Sequence, residues 1–170
     1  QMDWQRLQHK IGCGADFVIT QLFFDNTDFF EFRDYLTRLG VTVPIVPGII
    51  PIGSAAQIKK FTALCGAKLP DPLIAELEKR ATDEAACAAF GIEYATRQCE
   101  DLLRQGAPGI HFYTLNKAAA VTSIVKNLGL AYFARARKPH KPPAHPGGNG
   151  YALAVKLLPQ KLRQAAARIG

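Results

Sequence analysis

The side chains best placed to do chemistry in this chain are two amides, two aromatic rings, an imidazole and an ammonium: Gln21, Gln57, Phe61, Tyr113, His111 and Lys117. Gln21 closes the apolar run Phe17-Val-Ile-Thr-Gln. An amide at such a strand end both donates and accepts, so it can read the edge of a flat heterocycle such as a pterin or a nicotinamide. The same residue also serves as a polar cap on a loop. Gln57 and Phe61 are one helical turn apart, which would present an amide and a phenyl ring on one face; a core ring beside a surface amide has the same spacing. His111 falls inside a β-favouring run, where a histidine is more often buried and hydrogen-bonded than catalytic. Tyr113 and Lys117 frame the end of that run. An amine there can hold a carboxylate or phosphate, with a solvated lysine as the alternative. Asp25 reads as a helix-start residue rather than a catalyst.

Other chemistries find no footing. There is no Gly-x-Ser-x-Gly, no Walker loop and no Gly-x-Gly-x-x-Gly at a strand-helix turn, and no second histidine stands at metal-ligand spacing from His111. Cys13, Cys65, Cys87 and Cys99 are too far apart in sequence to form a close zinc-binding or redox pair, so they read as reduced thiols in or near the core. That places the chain in the cytoplasm. No apolar run approaches the roughly 18 to 20 residues of a membrane span.

The net charge of +7 looks like an argument for nucleic acid until it is divided along the chain. Residues 1–130 hold 13 Lys or Arg against all 14 Asp or Glu, a balance of −1, and residues 131–170 hold the other 8 basic residues with no acidic one. The basic character belongs to the tail, and the folded part is near neutral.

These residues need elements to position them. Met2 to His9 reads as helix leading to Gly12, and Phe17 to Ile19 as a compact strand. Asp28 and Glu31 are spaced like a capping box for a helix carrying Phe29, Phe32, Leu36 and Leu39, which Gly40 ends. Val43 to Val46 reads as a buried strand broken by Pro47-Gly48, with Ser54 capping a helix that carries Ile58, Phe61, Thr62 and Cys65 and stops at Gly66. Pro70 and Pro72 precede a short helix around Leu73 to Leu77. Thr82, Asp83 and Glu84 open a longer one closed by Gly106, in which Gly91 points to a close packing contact. Gly109 to Thr114 forms the third strand, and Asn116 caps a helix carrying Val121, Ile124, Val125 and Leu128.

Strand followed by helix three times implies an α/β fold with parallel strands. A closed (β/α)8 TIM barrel needs roughly 250 residues, and three strands alone leave bare edges, so several preceding units are expected to be missing. Residues 131–150 form a Pro/Gly-rich basic linker unable to bury enough apolar surface to order itself. Residues 151–170 read as a basic amphipathic tail interrupted by Pro159. Three readings of this flexible C-terminal tail stay open: a contact to nucleic acid or acidic lipid, a solvated appendage, and translation past a frameshift.

The chain resembles the methylenetetrahydrofolate reductase family. The matching strings are Gly14-Ala-Asp-Phe-Val-Ile-Thr-Gln21 with Phe23-Phe-Asp25, Val43-Pro-Ile-Val-Pro-Gly-Ile49, Lys60-Phe61 with Cys65-Gly66, and His111-Phe-Tyr-Thr-Leu-Asn116, in this order over roughly residues 5–130. The resemblance implies that residues 1–130 are the last three or so units of a flavin-binding barrel. It also implies a two-stage hydride transfer, from NADH or NADPH to FAD and on to methylenetetrahydrofolate, giving methyltetrahydrofolate. On it, Gln21 matches a strand-end glutamine touching the folate ring or the nicotinamide on one face of the flavin, so it counts for both substrate and cofactor. Gln57 matches a second substrate-contacting glutamine and Phe61 an aromatic residue packed on the substrate. Tyr113 joins the substrate-binding set, and Lys117 stands where many members have arginine, which keeps the charge and loses the two-pronged grip. The family's general acid, the aspartate beside the flavin's pyrimidine edge and most flavin phosphate contacts would lie upstream of Gln1. The expectation is that this chain alone neither retains FAD nor turns over, and that the complete protein is a homo-oligomer with no nucleic-acid or membrane partner. The competing readings are a nucleic-acid or membrane-surface module acting through the tail, and another barrel enzyme using a pterin or cobalamin.

Overall fold

The computed structural model of this chain describes residues 2–115 and 118–130. Its elements run α1 (Met2–Gly12), β1 (Val18–Leu22), α2 (Asn26–Arg38), β2 (Ile45–Ile49), α3 (Ala55–Cys65), α4 (Asp71–Glu78), α5 (Glu84–Arg104), β3 (His111–Phe112) and α6 (Ala118–Asn127). The three strands form one parallel sheet in the order β1-β2-β3. The fold is mixed α/β with a small parallel sheet. The expected linker and tail, 131–150 and 151–170, lie outside the described residues, and no helix among those described is long and apolar enough to cross a membrane.

Helix ends follow local chemistry. Ser54 and Asp83 cap α3 and α5 by accepting from the backbone N–H of Gln57 and Ala86. Gly40, Gly66 and Gly106 follow their helices at positive φ, as their positions imply. The start of α2 bears out Asp25 as the helix-start residue, accepting from Thr27 N–H at 2.9 Å, and overturns the capping box, since Asp28 lies inside the helix instead of heading one. An Asp three residues earlier already satisfies an orphan donor of the first turn, so the chain turns helical there.

The strands are shifted as well. β1 begins one residue later and runs three further than Phe17–Ile19. β2 covers Ile45–Ile49, so Pro47-Gly48 is strand rather than a break, and β3 is confined to His111–Phe112. A proline in a central strand removes a ladder donor and is tolerated where pairing is irregular. The register supplies that irregularity: Ile19 pairs with Val46 and Leu22 with Gly48, leaving two residues of β1 opposite Pro47.

Ile45, Ile49 and Phe112 lie on the sheet face covered by α2, α5 and α6, in a core with Phe29, Leu36, Cys99, Leu102 and Ile124. A second cluster, built on Leu22, Phe24, Ile50, Ile52, Ile58, Leu73, Leu77 and Cys87, sits beyond the strand ends beneath α3 and α4. Gly91 of α5 touches it so closely that a Cβ there would overlap the Ile52 carbonyl oxygen. The four cysteines are free; Cys87 and Cys99 are buried and Cys65 packs on the second cluster. Cys13 is exposed at the end of α1, which corrects its expected place in or near the core.

Candidate functional site

The C-terminal ends of the strands are joined by one side chain. Tyr113, the residue after β3, lays its ring across Gly48 of β2 and donates its hydroxyl to the Thr20 carbonyl of β1 at 2.9 Å. A Cβ on Gly48 would sit 2.5 Å from that carbonyl and 2.7 Å from the ring, so only glycine fits under it. The bulge frees the Gly48 N–H from the ladder, and the Thr20 hydroxyl accepts it at 2.9 Å while donating to the Gln21 carbonyl at 2.9 Å. Burial raises the Tyr113 pKa, with Cys65 a smaller contributor, so the phenol stays protonated and donating.

Gln21 is therefore next to the Tyr113 anchor. Its side chain is exposed, and its Oε1 accepts from the N–H of Leu22 at 3.0 Å, which leaves the amide nitrogen outward. Gln57 is half-buried in the first turns of α3, with its Oε1 lying over Gly53. Phe61, one turn on, packs against the same buried cluster as Tyr113. Lys117 and Asn116 lie outside the described residues.

His111 is buried at 6% exposure and meets Tyr113 edge-on, with ring centroids 4.8 Å apart. The expected hydrogen-bonded histidine is only half right, because among the described residues its Nδ1 has no partner. Burial lowers its pKa, so the ring is neutral near pH 7.

Sequence reasoning missed the supports. Thr20 gives no signal, since its role depends on the bulge. The others are a stripe on α5: Tyr94 donates to the Phe24 carbonyl at 2.5 Å, Gln98 to the Phe23 carbonyl at 3.2 Å, and Asp101 accepts from Asn26 Nδ2 at 2.8 Å. That Asn26 bond, then Gln105 and Arg104, holds the Asp101 carboxyl below its usual range. Spacing of four and three residues puts this stripe on one helical face, a signal present in the sequence.

Among the described residues no group of three or more His, Cys, Asp or Glu could hold a metal. The set at the strand ends consists of neutral donors and acceptors beside aromatic rings. It fits a flat, uncharged heterocycle such as a flavin or pterin ring, and the chain has no glycine-rich phosphate loop to fit a pyrophosphate.

Comparison with known proteins bears on this site. The family model for methylenetetrahydrofolate reductase matches residues 1–129. The chain is similar to a probable methylenetetrahydrofolate reductase (NADH) of Oryza sativa, at 37% identity over 84% of this chain and 24% of that protein. It is also similar to a probable methylenetetrahydrofolate reductase (NADPH) of Caenorhabditis elegans, at 39% identity over 75% of this chain and 20% of that protein. The 5,10-methylenetetrahydrofolate reductase of Pectobacterium carotovorum is 35% identical over 76% of this chain and 44% of its own length. The chain thus spans from a fifth to under half of these relatives.

Proposed function

We propose, from the premise that this chain belongs to the methylenetetrahydrofolate reductase family, that it supplies the C-terminal units of a barrel that reduces methylenetetrahydrofolate with NADH or NADPH through FAD. The observation that carries this reading is the meeting of Gln21 and Tyr113 at one end of a parallel sheet, beside the α3 face that bears Phe61. In barrels of this kind the chemistry gathers at that end. The short span relative to the family supports the view that earlier units complete the site, along with the general acid and the flavin's phosphate contacts. Assembly of the completed protein as a homo-oligomer belongs to the same proposal.

FAD, when bound, stores the hydride between nicotinamide and folate. The residues of this chain orient and exclude. Gln21 turns its amide nitrogen toward a ring carbonyl, and Tyr113 holds the β1 backbone so that this amide stays at the strand end. Gln57 and Phe61 offer an amide and a ring face to the folate, and Lys117 offers a charge to its carboxylates. None of Gln21, Gln57 or Phe61 carries a proton to transfer, so their contribution is positioning and polarisation. The nicotinamide preference is left as NADH or NADPH, since relatives carry both names.

A chimera tests this. Residues 1–130 replace the matching segment of the Pectobacterium relative, and NAD(P)H-dependent reduction of methylenetetrahydrofolate is measured. The expected result is a flavin-loaded chimera that turns over and loses at least about tenfold in folate kcat/KM on Phe61→Ala or Gln57→Ala. A folded, flavin-loaded chimera whose rate ignores Gln21, Gln57, Phe61 and Tyr113 alike would end the assignment.

A further inference from the structure

An open cavity of about 440 Å³, lined by none of Gln21, Gln57, Phe61 or Tyr113, lies between the segment after β1, the start of α4 and the middle of α5. Its apolar walls are Phe24, Leu73 and the two prolines of the α4 start. Its polar lining is one-sided. The Tyr94 hydroxyl is spent on the Phe24 carbonyl, Gln98 Nε2 on the Phe23 carbonyl, and Asn26 Nδ2 on the Gln98 carbonyl and Asp101. Each of those partners is an acceptor, so neither amide can be turned around. What remains are acceptors. Among the described residues Asn26 Oδ1 has no partner but is closed to solvent, whereas Gln98, 7% exposed, has an Oε1 that is neither partnered nor closed off. Asp25, exposed at the rim, spends only Oδ1 on its cap. Arg97 is the opposing cation, but it is paired with Glu93 at 3.4 Å, whereas Asp25 makes no ion pair among the described residues.

We propose that this cavity binds a hydrogen-bond-donating organic cation, an ammonium or guanidinium on a short alkyl stem, with the stem against Phe24 and Leu73 and the head group on Asp25 and Gln98. Such a group supplies the donors the lining lacks and the charge Asp25 complements. The site does not depend on the folate reading. Two sources have this chemistry: a free amine, or the Lys and Arg side chains of residues 131–170, eight in number with no acidic residue among them.

The test follows the side-chain amide signals of Asn26 and Gln98 by NMR in the full chain, and in a full-length variant whose eight Lys and Arg of residues 131–170 are replaced by Gln. n-Butylguanidinium and butyrate serve as probes. A free-amine site gives saturable shifts with the guanidinium in both proteins. A site filled by the chain's own basic segment gives signals already displaced in the unmodified protein, which move when those residues are neutralised and return when the probe is added. Either supports the proposal. Asp25→Asn keeps a capping acceptor while removing the charge, and should weaken the guanidinium at least about tenfold, whereas Arg97→Gln should leave it unchanged or tighter. No saturable shift with guanidinium in either protein and no displacement on neutralisation, or binding of butyrate that Arg97→Gln abolishes, overturns it. Saturable shifts with butyrate but not with guanidinium in the unmodified chain also overturn it, and that comparison stands even if a variant fails to fold.

Discussion

The two faces of the three-stranded sheet are unlike. On one, Ile45, Ile49 and Phe112 are closed under α2, α5 and α6, and Ile49 has no exposure at all. On the other, side chains alternating with these leave Ile19 at 37% and its neighbour Phe17 at 52% exposure, beside Gly48, His111 and Tyr113. The covered face is packed for stability. The open face combines apolar surface, an imidazole nitrogen unpartnered among the described residues and a glycine shaped to one tyrosine ring, a combination that packing within these residues does not require. It teaches where stability and function divide, and under the barrel reading this face is the interior that earlier units would enclose.

Substitutions can break or sharpen that contrast, read as urea midpoints of the 170-residue chain. Ile49→Ala should cost about 3 kcal/mol, because a fully closed site cannot collapse around the cavity. Gly48→Ala should cost about 2 kcal/mol by driving the Tyr113 ring off the strands; a neutral result would mean that the ring contact is not what selects glycine. Tyr113→Phe removes one partly buried hydrogen bond and should cost about 1 kcal/mol. Ile19→Ala should stay below about 1 kcal/mol, and a loss matching that of Ile49→Ala would erase the difference between the faces.

The weakest expected effect is a pH dependence. Folding lowers the His111 pKa below its ordinary 6.5, so the unfolded chain binds the proton more readily. Stability from this group is present above the unfolded pKa and falls as pH drops through it toward the folded value. Between about pH 7 and pH 5 the midpoint should decline more steeply than in His111→Gln, and equal slopes would remove the buried neutral imidazole from the description.

Much of the secondary structure was legible because its causes are local. Ser54, Asp83 and the glycines after α2, α3 and α5 act within a few residues of themselves, and they mark helix ends in the sequence as they do in the fold. The strand bounds were not legible. Pro47 reads as a break until a bulge in β1 stands opposite it, and that bulge exists only once β1 and β2 are paired. The site divides in the same way: Gln21 and Tyr113 were visible as polar residues at the ends of apolar runs, while Thr20 was not. The stripe Tyr94, Gln98 and Asp101 shares a helix face, yet its partners lie about 70 residues away.

By itself, then, the order of residues determined an alternation of strand and helix, the caps, a near-neutral body with a basic end, and the strings that join this chain to its family. Tertiary structure decided that one tyrosine spans three strands, that His111 is buried with a ring nitrogen unpartnered among the described residues, and that a cavity opens between the segment after β1, α4 and α5. The reason is one of range. Propensity and capping act over a single turn, whereas register, burial and the pairing of polar atoms depend on groups that only the folded chain brings together.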